Sequence, residues 1–168
     1  LSGPSCAQQD VQVQATLIEP ATFASVYSQE YTGLVRLAYM TTGNVGAAED
    51  VVQEVFAAWY RQGAHVHQPA AYLRRAVISR CTSWVRRRVL ERRHASVFAD
   101  GHEPAYADVT AVRAALRRLR PRQRAAVFLR YYLDLPESEI AEALGCRLGT
   151  VKSLLHRSLA TMKEFLGE

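Results

Sequence analysis

The chain has 168 residues, enough for one domain or two small ones, and its apolar fraction of 49% is ordinary for a globular protein. No apolar run approaches the roughly 20 residues that span a bilayer, and no signal peptide is recognisable, so we expect a cytoplasmic protein without membrane insertion. The net charge of +5 comes from two basic blocks, +7 over residues 69–93 and +5 over residues 111–168, with −4 before them and −3 between them. Such blocks are typical of a protein that contacts a polyanion at two places, although a membrane surface or an acidic protein would attract them too.

The first 62 residues predict a lead followed by two helices. Residues 1–21 show no sustained period and are predicted to be a flexible lead or a cloning remnant. From Phe23 the apolar residues recur every three or four positions, which predicts an amphipathic helix that stops near Gly43. A second stripe from Ala48 to Trp59 predicts another helix, on which the polar residues Glu49, Asp50, Gln53 and Glu54 face outward.

A loop and a long basic helix come next. Residues 62–68 have no period and contain His65 and His67, and Pro69 can open the third helix at its first turn. The apolar stripe of that helix consists of Leu73, Ala76, Val77, Cys81, Trp84 and Val85. Its other faces carry Arg74, Arg75, Arg80, Arg86, Arg87, Arg88, Arg92 and Arg93. Eight arginines exceed what solubility requires, so we expect this helix and the loop before it to hold DNA whose strands separate. Trp84 lies on the apolar stripe, which favours core packing over stacking on a base.

The second basic block predicts a helix-turn-helix. Residues 94–110 contain turn formers and no helical stripe, as in a linker between domains. Short helices are predicted around Leu116 and Phe128, followed by residues 137–157, in which a short helix, a glycine and a longer helix succeed one another. Ile140, Leu144, Val151 and Leu155 would fill the space between those last two helices. The opposite face of the longer helix carries Gly149, Ser153, His156, Arg157 and Ala160, which favours DNA binding over a hairpin used only for packing.

The cysteines and histidines indicate no metal site. Cys6, Cys81 and Cys146 are scattered and odd in number, so they form neither a disulfide framework nor a CxxC knuckle. His65 and His67 stand alone in their loop, without further ligands nearby in the sequence. We therefore expect no metal and no other cofactor.

Three stretches in a fixed order resemble the extracytoplasmic-function group of the sigma-70 RNA polymerase sigma factors. They are AAEDVVQEVFAAWY at residues 47–60, YLRRAVISRCTSWVRRR at residues 72–88, and LRRLRPRQRAAVFLRYYLDLPESEIAEALGCRLGTVKSLLHRSLATMKEFL at residues 116–166. The resemblance covers about residues 22–166. It implies an all-α fold of two small helical domains joined by a flexible linker: region two over residues 22–93, a linker over 94–110 and a helix-turn-helix region four over 111–168.

The resemblance also implies roles for individual residues. Asp50, Gln53 and Glu54 match the positions that dock on the clamp of the largest subunit of core RNA polymerase, and region four would meet the flap. Minus-ten promoter DNA would be contacted by His65, His67, Arg74, Arg75, Ser79, Arg80, Arg86, Arg87 and Arg88. Minus-thirty-five DNA would be contacted by Arg147, Thr150, Lys152, Ser153, His156 and Arg157. The family further implies promoter DNA as a ligand, an anti-sigma factor as a regulating partner, and no enzyme activity.

Three positions depart from the family pattern. Arg147 stands where a Ser or Thr often caps the recognition helix, Leu154 stands where Arg is common, and Ser79 stands where Asn is frequent in the minus-ten helix. Each change removes or alters a polar contact, so the promoter sequence cannot be transferred from a relative. Loss of a cap alone costs about 1 kcal/mol.

Two other functional classes fit parts of the sequence. An operator-binding regulator would use the helix-turn-helix, but it leaves the basic block of residues 69–93 and the acidic helix unexplained. An enzyme acting on nucleic acid would need a nucleophile with a base, or a cluster of metal ligands, and the sequence predicts neither.

Overall fold

A computed structural model describes residues 18–62, 66–94 and 111–167. Within these ranges the protein forms seven α-helices and no strand, which confirms the all-α fold class. The helices are α1 (Pro20–Thr42), α2 (Val45–Gln62), α3 (Pro69–His94), α4 (Ala111–Arg118), α5 (Pro121–Tyr131), α6 (Glu137–Leu144) and α7 (Leu148–Leu166). Most of the predicted lead, His65 and almost all of the predicted linker lie outside the described residues, and the division into domains stays a prediction.

Local chemistry sets the ends of the first two helices. α1 begins with Pro20 in its first turn, three residues before the predicted apolar stripe, and it ends because Gly43 adopts a left-handed φ of 69°. The Gly43 N–H donates to the carbonyl of Tyr39 at 2.7 Å. At the start of α2 the Asn44 side-chain oxygen accepts a hydrogen bond from the Ala47 N–H at 2.8 Å, as an N-cap residue does.

The first three helices pack around an apolar and aromatic core. α2 buries the predicted stripe, and Trp59 is 1% exposed. Phe23 stacks on Trp59 with 5.6 Å between ring centroids, and Tyr27 stacks on Tyr31 at 4.7 Å. This ring cluster fixes the crossing of α1 and α2 and leaves the polar face of α2 toward solvent.

Trp84 departs from the predicted core position. It is only partly buried, and the Arg88 guanidinium lies over its ring at 5.6 Å from the centroid. The cause is the length of α3, whose last fully buried residue is Cys81. Beyond that point α3 extends past the helices that cover its apolar stripe.

The last four helices form the predicted helix-turn-helix with two helices before it. Ile140, Leu144, Val151 and Leu155 are all buried, as the pattern predicted. α6 ends at Gly145, which adopts a left-handed φ of 59°, and the next two residues lead directly into α7. This short turn sets the angle at which α7 faces outward.

The two halves of the described chain also pack against each other. α1 and α3 contact α5, α3 contacts α6, and the buried apolar residues of both halves form one continuous cluster. We call this contact of α1 and α3 with α5 and α6 the seam. The sequence patterns did not predict it.

Candidate polymerase and promoter interfaces

The predicted polymerase-docking residues share one face of α2. Asp50, Gln53 and Glu54 are three and four positions apart on the helix, and all three are exposed. The residues between them, Val51 and Val52, are buried. α2 is therefore anchored by its apolar side and presents a polar, acidic strip to solvent, which suits a basic partner surface.

Glu54 also links this strip to the basic helix. The Arg80 guanidinium donates to the Glu54 carboxylate at 2.8 Å, and both side chains are largely exposed. Arg80 belongs to the predicted minus-ten set, so the structure brings together residues that the sequence assigned to two separate interfaces. An exposed pair of this kind contributes about 1 kcal/mol or less to stability.

Most of the predicted minus-ten residues lie exposed along α3. They are Arg75, Ser79, Arg80, Arg86, Arg87 and Arg88. Arg87 and Arg88 lie near the end of α3, where Arg88 pairs with the Glu91 carboxylate at 3.6 Å. Guanidinium groups of this kind can bind phosphates. The predicted set therefore forms a basic strip along the helix, in reach of a polyanion on its outer side.

Arg74 and the inner part of this strip face the second half of the chain. Arg74 is only 14% exposed, and its guanidinium lies 3.4 Å from the Glu139 carboxylate on α6. Arg75, Ser79 and Arg86 line a cavity of about 250 Å³. The opposite wall of that cavity is formed by Arg122, Ala143, Leu144 and Gly145.

Of the two histidines in the predicted minus-ten set, the structure describes only one. His65 lies outside the described residues, whereas His67 is exposed immediately before α3. Its neighbour Val66 is partly buried against the core, so the end of the loop is fixed at the start of the basic helix. The structure therefore places His67 next to the predicted DNA-contacting helix.

The predicted minus-thirty-five residues lie together on and before α7. Lys152, Ser153, His156 and Arg157 line one shallow groove of about 590 Å³, while Arg147 and Thr150 are exposed at the start of the helix. The Arg157 Nε donates to the Ser153 carbonyl at 3.1 Å, which directs the end of the guanidinium outward from the helix. Hydroxyl, imidazole and guanidinium groups on one exposed strip can meet both base edges and phosphates.

Two of the departures from the family pattern have a structural outcome. Arg147 is the N-cap residue of α7 and makes no side-chain capping hydrogen bond. Leu154 is buried, so an apolar side chain packs where Arg is common in the family. The altered positions therefore change the support of the recognition helix as well as its exposed face.

Sequence reasoning missed a second basic groove beside α7. Arg118, Arg120, Arg122 and Arg157 line a concavity of about 640 Å³ between the start of α5 and α7. Three of these arginines belong to the basic run LRRLRPRQR at residues 116–124, for which the sequence analysis predicted no role. Arg122 also donates to the Leu144 carbonyl at 2.9 Å, which ties α5 to the end of α6.

The described residues contain no group of three or more His, Cys, Asp or Glu side chains that could hold a metal ion. No helix in the described ranges is long and apolar enough to cross a membrane.

Comparison with known proteins identifies the two halves. Residues 26–91 match the family described as sigma-70 region 2, and residues 110–162 match the family described as sigma-70, region 4. The RNA polymerase sigma-E factor of Streptomyces antibioticus is 36% identical over 126 residues, which cover 71% of this chain and 70% of the relative. The chain belongs to the sigma-70 family. It is an alternative sigma factor, which binds core RNA polymerase and promoter DNA and initiates transcription.

Further relatives agree with this assignment. The extracytoplasmic-function RNA polymerase sigma factor SigL of Mycobacterium tuberculosis is 30% identical over 166 residues, 92% of this sigma factor and 94% of SigL. In fold, this sigma factor is similar to the sigma factor RpoE from Bartonella quintana, solved in complex with the anti-sigma factor NepR. That match has a TM-score of 0.69 and 24% identity and covers 87% of this chain and 97% of the other. Sigma factors are not enzymes in the usual sense, and no catalytic family is indicated.

Proposed function

We propose that this sigma factor docks on the polymerase clamp through Asp50, Gln53 and Glu54. The observation that carries the proposal is the division of α2 into a buried apolar face and an exposed acidic strip. Such a strip can be recognised by a basic surface without disturbing the core of the first three helices. Docking through α2 leaves the exposed end of α3 beside the polymerase, where promoter DNA would lie.

We propose further that the two basic surfaces contact two promoter elements. The minus-ten contacts are His65, His67, Arg74, Arg75, Ser79, Arg80, Arg86, Arg87 and Arg88. The minus-thirty-five contacts are Arg147, Thr150, Lys152, Ser153, His156 and Arg157, and the flap of the polymerase meets region four. Arginines and Lys152 would bind phosphates, and Ser153 and His156 would read base edges. The protein acts by binding in the cytoplasm, where the polymerase works.

The direct test is run-off transcription with purified bacterial core polymerase on pooled genomic fragments from the source organism. New discrete transcripts are expected only when the protein is present, and alignment of their upstream sequences would give the two promoter elements. Absence of transcripts together with absence of core binding would contradict the proposal.

The docking face is tested by Asp50→Lys, which reverses one charge on α2. Core binding in the absence of DNA is expected to weaken about tenfold, the effect of roughly 1.4 kcal/mol at a charged interface. Glu30→Lys makes the same charge change on α1, outside the proposed face, and should leave the affinity for core polymerase nearly unchanged. Equal weakening by both variants would indicate a general charge effect and no specific docking site.

We also propose control by an anti-sigma factor. The matched Bartonella quintana sigma factor was solved in complex with such a protein, and this supports a partner of the same kind here. A protein captured from lysate of the source organism should abolish run-off transcription when it is added before core polymerase. A captured partner that leaves transcription unchanged is not the regulator.

A further inference from the structure

The second basic groove beside α7 contains four arginines around one concavity. Arg118 ends α4, Arg120 and Arg122 flank the first residue of α5, and Arg157 lies on α7. All four residues are exposed, and the concavity measures about 640 Å³. We call this concavity the arginine groove.

The charge of the arginine groove is unbalanced. Of the described residues that line it, Glu164 alone carries a carboxylate, against four guanidinium groups. Within the described part of the chain, none of these arginines forms a salt bridge with a carboxylate, whereas Arg80 and Arg88 on α3 each do so. An excess of unpaired cations in a concave site raises the local concentration of anions. The groove is therefore suited to an anionic ligand.

Three of the four guanidinium groups are held in place while most of their donors stay unused. Arg118 lies over the Phe165 ring, 5.2 Å from its centroid. Arg122 and Arg157 each donate one hydrogen bond to a backbone carbonyl, at 2.9 and 3.1 Å. A guanidinium carries five N–H donors, so each of these groups can still bind a phosphate. Because the side chains are already positioned, binding costs little of their conformational freedom.

The arginine groove continues the proposed minus-thirty-five surface. Arg157 lines both this groove and the shallow groove that contains Ser153 and His156. Ser153, Arg157 and Thr161 follow one another at four-residue spacing, so they form one strip of about 12 Å along α7. A helix-turn-helix brings the first turns of its second helix to the base edges, in a major groove about 12 Å wide. The later turns of α7 and the arginines beside them therefore lie near the phosphates that border the major groove.

We infer that the arginine groove binds the phosphates of duplex DNA beside the minus-thirty-five element. The inference rests on the proposed contact of α7 with that element. The added contact is independent of sequence, because guanidinium groups hold backbone oxygens and read no base edge. It lengthens the bound duplex at one end only, since the groove lies on the side of α7 that faces α4 and α5.

The lining of the arginine groove favours DNA over an acidic protein segment. A protein partner is usually anchored by an aromatic or aliphatic side chain in a desolvated pocket. Between the arginines lie the small residue Ala160 and the polar residue Thr161, and Leu154 is buried. Such a lining supplies charge without an apolar pocket, which suits a phosphate backbone.

The test compares two double substitutions that remove the same charge from the full chain. Arg118→Gln/Arg120→Gln changes the arginine groove, and Arg113→Gln/Lys163→Gln removes two exposed charges of α4 and α7 outside it. Affinity for a labelled pool of random duplexes of about 30 base pairs is measured between about 50 and 200 mM salt. The groove variant should bind about tenfold or more weakly at the lowest salt and lose about 2 from the salt slope, as expected for two phosphate contacts. The control variant should stay within about twofold of wild type, with its slope unchanged.

Sequence preference separates phosphate binding from base reading. Wild type and the groove variant should select the same sequence from the random pool, because the groove reads no base. Lengthening a duplex that carries the selected sequence should strengthen binding by wild type when base pairs are added at one end and not at the other. The groove variant should lack this gain at both ends.

Four results would overturn the inference. An equal loss in both double variants would mean that net charge alone acts, and an unchanged slope in the groove variant would mean that no phosphate binds there. Unchanged DNA affinity with weaker binding to core polymerase would assign the groove to a protein surface. Wild type that binds no duplex at the lowest salt would overturn it too, since phosphate binding requires no particular sequence. Failure of the proposed function is read separately, as absence of transcripts from wild-type holoenzyme or as wild-type DNA affinity in Lys152→Ala.

Discussion

Arg147 supplies a positive charge at the start of α7 but does not stabilise the helix as a cap. It is the N-cap residue of α7 and provides no oxygen to the unpaired N–H groups of the first turn. Arg147→Ser is expected to raise the free energy of unfolding by about 1 kcal/mol, measured by urea denaturation of the full chain. The same change should weaken DNA binding through loss of a phosphate contact.

Arg147→Ala serves as the matched control, since it removes the cation without supplying a cap. It should weaken DNA binding as Arg147→Ser does, but without the gain in stability. Equal stability of the two variants would mean that the hydroxyl does not cap α7.

Cys81 illustrates how burial controls reactivity. Burial raises the pKa of its thiol from the usual 9.0 to about 12, because the thiolate is disfavoured away from water. We expect Cys81 to resist alkylation at pH 8 in the native protein and to react once the protein is unfolded in urea, as measured by peptide mass spectrometry. Native labelling of Cys81 as fast as in urea would contradict its burial.

The same shift has a defined sign for stability. The folded state keeps the Cys81 proton at a pH where the unfolded chain has released it. The stabilising contribution of the neutral thiol is therefore complete below about pH 9 and is lost as the pH rises toward 12. Cys81→Ala, which has no ionisable group, should lack this part of the alkaline decline in unfolding free energy.

At the scale of the element, the residues of α7 that pack against the protein and those that can contact DNA lie on different sides of the helix. Val151, Leu154 and Leu155 are buried, whereas Lys152, Ser153 and His156 are exposed. One side therefore holds the helix against α5 and α6, and the other side is available to a groove of DNA.

This division predicts different effects for neighbouring residues. Lys152→Ala should weaken binding to all DNA sequences and reduce the salt slope of log affinity by about 1, since one phosphate contact is lost. Ser153→Ala should instead relax preference at one base position and leave the slope unchanged. Affinities measured between 50 and 200 mM salt on promoter and random duplexes would distinguish the two. Arg113→Ala, an exposed charge on α4, is the control and should change neither.

At the scale of the whole molecule, the seam makes two helical groups into one packed unit. Their buried residues form a single cluster. Arg124 on α5 also donates hydrogen bonds to the carbonyls of Met40 and Thr41 in the last turn of α1. Small units with a shared core unfold together, whereas units joined only by a chain unfold independently.

We therefore expect one cooperative unfolding transition for the free protein. Both tryptophans lie in the first half, so their fluorescence reports α1 to α3, while far-ultraviolet circular dichroism reports every helix. The two signals should coincide during urea denaturation in wild type and in Gly33→Ala, whose added Cβ fits in ordinary contact with Leu133 across the seam. In Gly33→Gln, whose longer side chain is wedged against Leu133, circular dichroism should show a second transition that fluorescence lacks. Separate unfolding transitions in wild type would mean that the seam does not couple the unfolding of the two halves.

Much of the candidate site could be predicted from the sequence because helical surfaces follow local periodicity. The exposed acidic strip of α2 and the exposed face of α7 were predicted from three-and-four spacing alone. Arg74 was placed with the other arginines on an open face, and only packing against α6 gave it a carboxylate partner. Trp84 was misplaced because periodicity marks a stripe but does not show where the covering helices end.

The sequence by itself determined the helices, their ends and the charge each presents, because 3.6-residue periodicity, proline, glycine and cap residues act over a few neighbouring positions. Tertiary structure decided the seam. Met40 and Arg124 are far apart in the chain, and nothing in the local pattern around Arg124 distinguishes it from the other arginines of the basic run. Its role depends on loss of water and on carbonyls that another helix leaves unpaired, and both arise only when the two halves meet.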